Sequence, residues 1–364
     1  MSGSSVPFAD PGRAARAEFD DLTAALRRVA QRGRFILAEE VRAFEAEFAV
    51  VCGLEHAVGV ATGTDAIELA LRALDIGPGD EVVTQANTCV PTIAAIARAG
   101  AVPVLCDADA MGAMDPTSAA AAISPTTRAL VPVHLYGHCA DMAQLCALAR
   151  ERQLHVIEDC AHAVGAAIDG RPAGSFGALA CFSFYPTKQL AALGDAGIVT
   201  TADARLAERV RALRSYGDRE PGVNSRMDEL QAAFLRARLT RLDAEHARRE
   251  ALAFRYDEAL AGGPVTPLPR HPGHRHALHL YVVEVAQRDA FRAALARTGI
   301  ATGVHYSPAL HGQPAWRGVV RTPVPLPVAE RLANRVVSLP LFPMLHDAEQ
   351  AAVLEAVRQA PRDA

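Results

Sequence analysis

The sequence lacks the marks of a membrane-spanning, secreted or disulfide-stabilised protein. No apolar run approaches the roughly 20 residues of a membrane-spanning helix. The first segment, MSGSSVPFADPGRAARAEFDD, has no apolar core of signal-peptide length. The seven cysteines are odd in number and form no C-x-x-C pair, which indicates reduced thiols rather than a disulfide framework or a zinc site. These absences predict a cytoplasmic protein with no membrane partner.

An excess of charge of one sign is missing as well. The 364 residues carry a formal net charge of −4, so no broad attraction to nucleic acid or an anionic surface is expected. Arginines are scattered along helix-like stretches such as 236–255, a pattern typical of solvated helix faces. Lysine is nearly absent, and arginine fills almost every basic position. We therefore expect small-molecule partners and no nucleic acid.

Strand-like and helix-like segments alternate over residues 55–200. The helix-like segments cover 65–74, 92–99, 141–152 and 204–215, and the apolar strand candidates are HAVGVAT, EVVTQ, VPVLCD, ALVPVHLYG, HVIEDCA, ALACFSFYP and GIVTT. This alternation predicts an α/β domain whose mainly parallel sheet is covered on both faces. In such sheets, ligands bind at the carboxyl ends of the strands.

The C-terminal third predicts a smaller α+β domain. A long amphipathic stretch over 227–260 ends at a glycine pair, which is typical of a helix C-terminus. The proline-rich segment 264–272 then predicts a linker or surface loop. The strand-like HLYVVEV and several helical patterns follow it. We place the large domain, with the N-terminal segment, at 1–245 and the small domain at 246–364.

The first segment with chemical potential is VATGTDAIELAL. An apolar strand ends, Gly63 and Thr64 form a turn, and a helix begins. The positive end of the helix dipole and its unpaired backbone N–H groups suit a phosphate group, although an ordinary capped helix has the same pattern. The Walker ending and the G-x-G-x-x-G fingerprint are both absent, which argues against a nucleoside triphosphate or a dinucleotide.

The second segment is HVIEDCAHAVG, in which a strand ends at Asp159. A buried carboxylate needs a cationic or hydrogen-bonding partner, and a protonated pyridine nitrogen is one such partner. His162, three residues on, can donate to a phenolic oxygen of the same ring. A structural carboxylate or a metal ligand is the alternative, but two residues are too few for a metal cage, so no metal is expected.

The third segment is ACFSFYPTKQLAALGDAG. A strand-like run reaches Ser183, which can contact a phosphate, and a Tyr-Pro-Thr turn then presents Lys188. An apolar setting disfavours the charged form of a lysine and makes its neutral amine available for a Schiff base. The alternative is a surface lysine. Taken together, the three segments predict a pyridoxal-5′-phosphate (PLP) enzyme of fold type I.

The sequence resembles the DegT/DnrJ/EryC1/StrS family of PLP-dependent sugar aminotransferases. The resemblance extends from about residue 34 to the C-terminus. It rests on GTDAIELALRAL, GPGDEVV, ANTCVPT, VPVHLYG, IEDCAHAVG, FSFYPTKQLAALGDAG, RVRALRSYG, NSRMDELQAA and SLPLFP. It implies the aspartate aminotransferase-like fold and a homodimer with shared active sites.

The resemblance also implies roles for individual residues. Lys188 would carry the Schiff base and move the proton, Asp159 would pair with the pyridine nitrogen, and His162 would take a position that is Gln or His in relatives. The phosphate would be held by Gly63, Thr64 and Ser183 of one subunit and by Asn224 of the partner subunit. The residues near the substrate would be Arg226, His305 and Tyr306.

Several positions depart from the family pattern. Many relatives place an aromatic side chain over the cofactor ring, where ANTCVPT offers Cys89, and this weakens stacking. Val164 stands where many relatives have histidine, and Val223 takes the place of a tyrosine. These departures bear on the choice of substrate more than on the reaction type.

The resemblance implies transfer of the amino group of L-glutamate to a keto group of a nucleotide-activated sugar. The ANTCVPT segment favours a dTDP-keto-6-deoxyhexose, and a keto-cyclitol is the rival within the family. A PLP dehydratase or synthase is a further alternative, although the dehydratase branch replaces the Schiff-base lysine by histidine. A catalytically silent regulatory relative is the most remote alternative.

Overall fold

The computed structural model describes residues 5–217, 220–263 and 265–360. Its α-helices are α1 (Pro11–Ala17), α2 (Phe19–Arg32), α3 (Glu39–Val51), α4 (Gly63–Ala73), α5 (Val90–Arg98), α6 (Pro116–Ala122), α7 (Met142–Arg152), α8 (Ala204–Leu213), α9 (Glu229–Leu239), α10 (Leu242–Leu260), α11 (Arg288–Arg297), α12 (Pro327–Arg335) and α13 (Asp347–Gln359). Its strands are β1 (His56–Val60), β2 (Glu81–Gln85), β3 (Val102–Cys106), β4 (Thr127–Val131), β5 (His155–Asp159), β6 (Ala167–Ile168), β7 (Arg171–Pro172), β8 (Leu179–Ser183), β9 (Gly197–Thr201), β10 (Thr266–Pro267), β11 (His274–Arg275), β12 (Tyr281–Glu284) and β13 (Val336–Leu339). Short 3₁₀ turns lie at Leu135–Gly137, Leu310–Gly312 and Pro314–Trp316.

The larger of the two structural units is built on a seven-stranded sheet with the order β1-β9-β8-β5-β4-β2-β3. Strands β3, β2, β4, β5 and β8 are parallel, while β9 is antiparallel to both β8 and β1. The prediction of a mainly parallel sheet is confirmed. Because β9 alone is reversed, β1, β5 and β8 all end at the same edge of the sheet. The segments that follow these three strands are therefore brought together.

Helices cover both faces of this sheet. Neighbouring residues of a strand point to opposite faces, so Val82 packs in a cluster with α4 and α8 while Val83 packs in another with α6 and α7. A third cluster joins the aromatic side chains of α3 to β8 and α9. Within it, the rings of Phe48 and Phe182 meet edge to face at 5.0 Å between centroids. This packing fixes the strand ends that carry the polar residues.

A smaller α+β unit is built on the sheet β10-β12-β13. Its core combines the C-terminal half of α10 with α11 and α13, and it includes Val6 near the N-terminus. The stretch predicted as one long helix over 227–260 forms two helices, because the helical conformation is interrupted between Leu239 and Leu242. Helix α10 runs through position 245, and the division at 245/246 stays a prediction.

Two further observations bear on the sequence interpretation. Position 264 of the predicted linker lies outside the described residues, but Thr266–Pro267 forms β10 and pairs with β12. Within the described ranges, no helix is both long and apolar enough to span a bilayer. All seven cysteines are free thiols, five of them buried. Burial raises the pKa of these thiols, for example that of Cys139 to about 12.

Candidate active site

A cavity of about 430 Å³ lies at the sheet edge where β1, β5 and β8 end. It is lined by the start of α4, the end of β5, the end of β8 and the turn that carries Lys188. The small unit also contributes two residues. Of the predicted site residues, the cavity brings together Gly63, Thr64, Cys89, Asp159, His162, Ser183, Lys188, His305 and Tyr306.

The N-terminus of α4 forms one wall of the cavity. Thr62 caps this helix by accepting a hydrogen bond from the Asp65 amide at 3.0 Å. A Cβ atom added to Gly63 would lie 2.6 Å from the Cβ of Ser183, so only glycine allows β8 to approach this closely. The first amides of a helix have no partner within the helix. Those amides and the Ser183 hydroxyl therefore form a cradle that suits a phosphate group.

Asp159 is a buried carboxylate at the end of β5. One of its oxygens accepts a hydrogen bond from the Thr92 hydroxyl at 2.8 Å, and the other accepts one from the Ala161 amide at 3.1 Å. Burial raises the pKa of Asp159 even though both hydrogen bonds oppose the rise. A carboxylate in this setting is stabilised by a cationic partner inside the cavity.

Sequence reasoning missed Thr92. The sequence feature that could have identified Thr92 is its position three residues after Cys89 in ANTCVPT, at the start of α5. That spacing places the Thr92 hydroxyl on the carboxylate of Asp159 while Cys89 lines the same cavity. Other polar lining residues absent from the predicted set are Thr62, Thr88, Tyr185, Thr187 and Asp195.

Lys188 is the only lysine of the chain. Its amide donates to the Tyr185 carbonyl at 2.8 Å, which closes a tight turn after β8. Burial lowers the pKa of the Lys188 amine to about 8, while the nearby Cys89 and Asp159 act in the opposite direction. A substantial fraction of this amine is therefore neutral, and so nucleophilic, near pH 8.

His162 is held as a neutral ring beside this cavity. Its Nδ1 accepts a hydrogen bond from the Tyr136 amide at 3.3 Å, so its Nε2 carries the proton. The same Nε2 lies 3.4 Å from the Tyr306 hydroxyl. Burial holds the pKa of His162 well below its usual value. His162 can therefore donate a hydrogen bond into the cavity at any pH near neutrality.

His305 and Tyr306 reach the cavity from the smaller unit. The backbone carbonyl of His305 accepts a hydrogen bond from the Tyr136 hydroxyl at 2.6 Å, and its ring lies 2.8 Å from the Ser338 hydroxyl. The His305 ring also stacks on Phe8 at 5.4 Å between centroids. These contacts fix both residues at the cavity wall, where the resemblance places substrate.

Asn224 and Arg226 do not line the cavity of their own chain. Asn224 forms a backbone bridge with Ser215, and the Arg226 guanidinium lies 5.7 Å from the centre of the Tyr216 ring. The resemblance assigns Asn224 to the site of the partner subunit. That assignment, and the contact of Arg226 with substrate, stay predictions.

A group of potential metal ligands lies close to the site within the described residues, namely His134, Glu158 and Cys160. His134 accepts from the Ala140 amide at Nδ1 and donates to Glu158 from Nε2, at 3.0 and 2.9 Å. Glu158 also accepts hydrogen bonds from the amides of residues 174, 176 and 177. These contacts occupy the ligand atoms of His134 and Glu158, so the two side chains hold the loop at residues 174–177 against the end of β5.

The donor set fits a phosphorylated cofactor that has a basic ring nitrogen and an aldehyde. The cradle at α4 suits the phosphate, Asp159 suits the protonated nitrogen, and Lys188 offers an amine to the aldehyde. Together with the mainly parallel sheet, this site defines a transferase of the aspartate aminotransferase-like fold type I.

Comparisons with known proteins agree with this class. The chain is 46% identical over 365 residues to dTDP-3-amino-3,4,6-trideoxy-alpha-D-glucose transaminase of Streptomyces venezuelae, covering 97% of this chain and 96% of the relative. It is 43% identical to UDP-N-acetyl-3-dehydro-alpha-D-glucosamine 3-aminotransferase of Acidithiobacillus ferrooxidans, with 93% and 94% covered. The crystal structure of S. venezuelae DesV in complex with a ketimine intermediate superposes with a TM-score of 0.94 at 44% identity, covering 98% of each chain.

The profile of the DegT/DnrJ/EryC1/StrS aminotransferase family matches residues 17–358. The chain belongs to this family and is an aminotransferase.

Proposed function

We propose that the protein is a PLP-dependent aminotransferase that moves the amino group of L-glutamate to a keto group of a nucleotide-activated sugar. One arrangement carries the proposal: Lys188, with its lowered pKa, shares a cavity with the buried carboxylate of Asp159 and with the start of α4. The family membership and the nucleotide-sugar transaminases among its relatives support it.

Bound PLP supplies a conjugated, protonated ring that withdraws electrons from the substrate carbon bearing the amino group. Lys188 would hold the aldehyde through Nζ. As a free amine, Nζ would carry a proton to and from the substrate carbon that bears the amino group. Because its pKa is about 8, this amine both accepts and releases a proton near neutral pH.

The neighbouring residues hold and orient the ring. Asp159 would keep the ring nitrogen protonated, and Thr92 and Ala161 fix its carboxylate through the two oxygens. His162 would donate from Nε2 to the phenolic oxygen. Cys89 lines the cavity where many relatives have an aromatic residue, so the ring would be held by polar contacts more than by stacking.

The phosphate would be held by Gly63, Thr64 and Ser183, with Asn224 of the partner subunit completing the cradle. His305 and Tyr306 would face the substrate, and Arg226 would bind an acidic group of it. For the acceptor we propose a dTDP-keto-6-deoxyhexose, because two relatives are named as transaminases of dTDP-amino-trideoxyglucose. The large domain at 1–245, the small domain at 246–364 and a cytoplasmic location complete the proposal.

A homodimer is part of this proposal. Phe35, Ile36 and Leu193 are large apolar residues with 51%, 42% and 44% of their surface exposed. All three flank the start of α9: Ile36 bridges Asp228, the residue before it, and the Leu193 amide donates to Gln231. Tyr185, at the cavity rim, is also exposed. A second copy of the chain that covers this patch would bring its own Asn224 to the cavity.

Complementation tests the shared site. Lys188→Ala and Asn224→Ala dimers are each expected to have little activity, while a hybrid of the two contains one site with both native residues. Mixing the unfolded variants and refolding them together should restore turnover. Refolding each alone is the control, and no recovery in the mixture would argue that each site uses its own Asn224.

The reaction is tested with pure protein, PLP, L-glutamate and a panel of keto-sugars that includes dTDP-3-keto-6-deoxyglucose and a keto-cyclitol. Formation of 2-oxoglutarate together with an amino sugar is the expected result, and Lys188→Ala is the matched control. Loss of water from the sugar without amino transfer would indicate a dehydratase. No 2-oxoglutarate with any acceptor would favour the regulatory alternative.

A further inference from the structure

A second cavity of about 340 Å³ lies beside residues 186–193, which include Lys188 and are called the lysine segment below. Its walls come from α1, from residues 186–193, from α10 and from residues 342–344. Thr187 and Lys188 line both this cavity and the active-site cavity. The lysine segment is therefore a partition between two spaces, of which the catalytic chemistry uses one.

Two buried polar atoms without partners belong to residues that line this second cavity. They are the Oε1 atom of Gln189 and the Nε atom of Arg249. Both residues are only 6% exposed. A buried donor or acceptor that lacks a partner is costly. Both atoms have almost no accessible surface, so an occupant of the cavity pairs with them only if the two side chains shift.

Other contacts hold these two side chains in place. Gln189 donates from Nε2 to the His162 carbonyl at 2.5 Å. The Arg249 guanidinium donates to the carbonyls of Leu278 and Leu341 at 3.2 and 3.1 Å. These bonds anchor both side chains at the wall of the cavity.

The charges around the cavity favour a ligand that carries both signs. Arg238 is already used, because it donates to Glu18 and to the Ala191 carbonyl. Arg249 and Glu245 lie one helical turn apart on α10, and burial lowers the pKa of Arg249 to about 10 while it raises the pKa of Glu245. A ligand carboxylate beside Arg249 and a ligand ammonium beside Glu245 would stabilise the charged forms of both side chains, which burial disfavours.

Asp10 also lines the cavity, but its carboxylate already accepts hydrogen bonds from Arg13. Most of the remaining wall is apolar and includes Leu190, Leu242, Phe342 and Met344. We propose that this cavity binds an α-amino acid with an apolar side chain. Its carboxylate pairs with Arg249, its ammonium pairs with Glu245, and its side chain packs on Leu242 and Phe342. A volume of 340 Å³ is at the small end of ligand pockets and suits a ligand of this size.

The test is calorimetric titration of the cofactor-loaded protein with three probes that share the same branched side chain. L-Leucine carries both charged groups, 4-methyl-2-oxopentanoate lacks the ammonium, and 3-methylbutylamine lacks the carboxylate. Saturable binding of L-leucine is expected, with the keto acid weaker and the amine without measurable binding. No saturable binding of L-leucine, or equal binding of the amine, would overturn the proposal.

Variants separate this cavity from the active site. Ala14 lines the cavity on α1, whereas Ala17 on the same helix is exposed and does not. Ala14→Phe should fill the space and weaken L-leucine binding at least tenfold, and Ala17→Phe should leave it unchanged. Leu242→Trp fills the same space from α10 and is the replacement test variant if Ala14→Phe does not fold. Unchanged affinity in a folded filling variant would place the binding elsewhere and refute the site.

Discussion

Replacing Thr92 by valine removes a hydroxyl from a buried carboxylate while nearly preserving the shape of the side chain. Thr92 is 1% exposed, and its hydroxyl donates to Asp159 at 2.8 Å. That bond favours the charged form of Asp159, which burial disfavours. Without it, Asp159 is a poorer partner for a protonated ring nitrogen, so the cofactor should bind more weakly.

The size of the effect follows from the kind of bond. A hydrogen bond to a charged group contributes about 1.5–3 kcal/mol. The lower end applies because the Ala161 amide still donates to the other oxygen. A loss of about 1.5 kcal/mol corresponds to roughly a tenfold increase in the dissociation constant of PLP.

Spectroscopic titration of the apoprotein with PLP measures this constant. Thr92→Ser keeps the hydroxyl that donates to Asp159 and should bind PLP with an affinity close to that of wild type. Thr88→Val is the comparison variant: it removes the hydroxyl that hydrogen-bonds to Thr92 at 3.3 Å but makes no bond to Asp159, so it should weaken PLP binding less than Thr92→Val. Wild-type affinity in Thr92→Val would refute the positioning role.

Three other predictions follow from the same site. Lys188→Ala should abolish both turnover and the visible absorbance of bound PLP; an unchanged spectrum would contradict the lysine assignment. Because burial lowers the pKa of Lys188 from 10.5 to about 8, the neutral amine is scarce at pH 6.5 and dominant at pH 9. The rate of PLP attachment to the apoprotein should therefore rise through pH 8 and level off above it, and a rise centred near pH 10 in stopped-flow traces would contradict this pKa. Gly63→Ala places a Cβ 2.6 Å from the Ser183 Cβ, so the free energy of unfolding should fall by about 1–3 kcal/mol, and the affinity for PLP should fall as well. Gly79→Ala is the control: Gly79 lies in open space but has a positive φ, so this variant should lower the free energy of unfolding without weakening PLP binding.

The strand ends of the site were predictable from the sequence because their signal is local. An apolar run that stops at Asp159 marks a strand end, and a parallel sheet brings such ends together. The reversed direction of β9 was not predictable from GIVTT. A strand pattern carries no direction, and the irregular segment 184–196 before it fits either a crossover or a hairpin.

Features built from distant segments were beyond the sequence. The break between α9 and α10 has neither glycine nor proline to mark it, since Thr240 and Arg241 are compatible with a continuing helix. The bond from Thr92 to Asp159 joins residues 67 positions apart. The second cavity needs α1, α10 and the lysine segment together, and its unpaired atoms are visible only once these elements are packed.

Because the chain has one lysine, cleavage after that residue can measure how often its surroundings open. A protease that cuts only after lysine finds a single bond, between Lys188 and Gln189, and it releases just two fragments, 1–188 and 189–364. Gln189 is buried, so digestion requires the segment to open locally. The appearance of the two bands on a gel therefore times the opening of the wall between the two cavities.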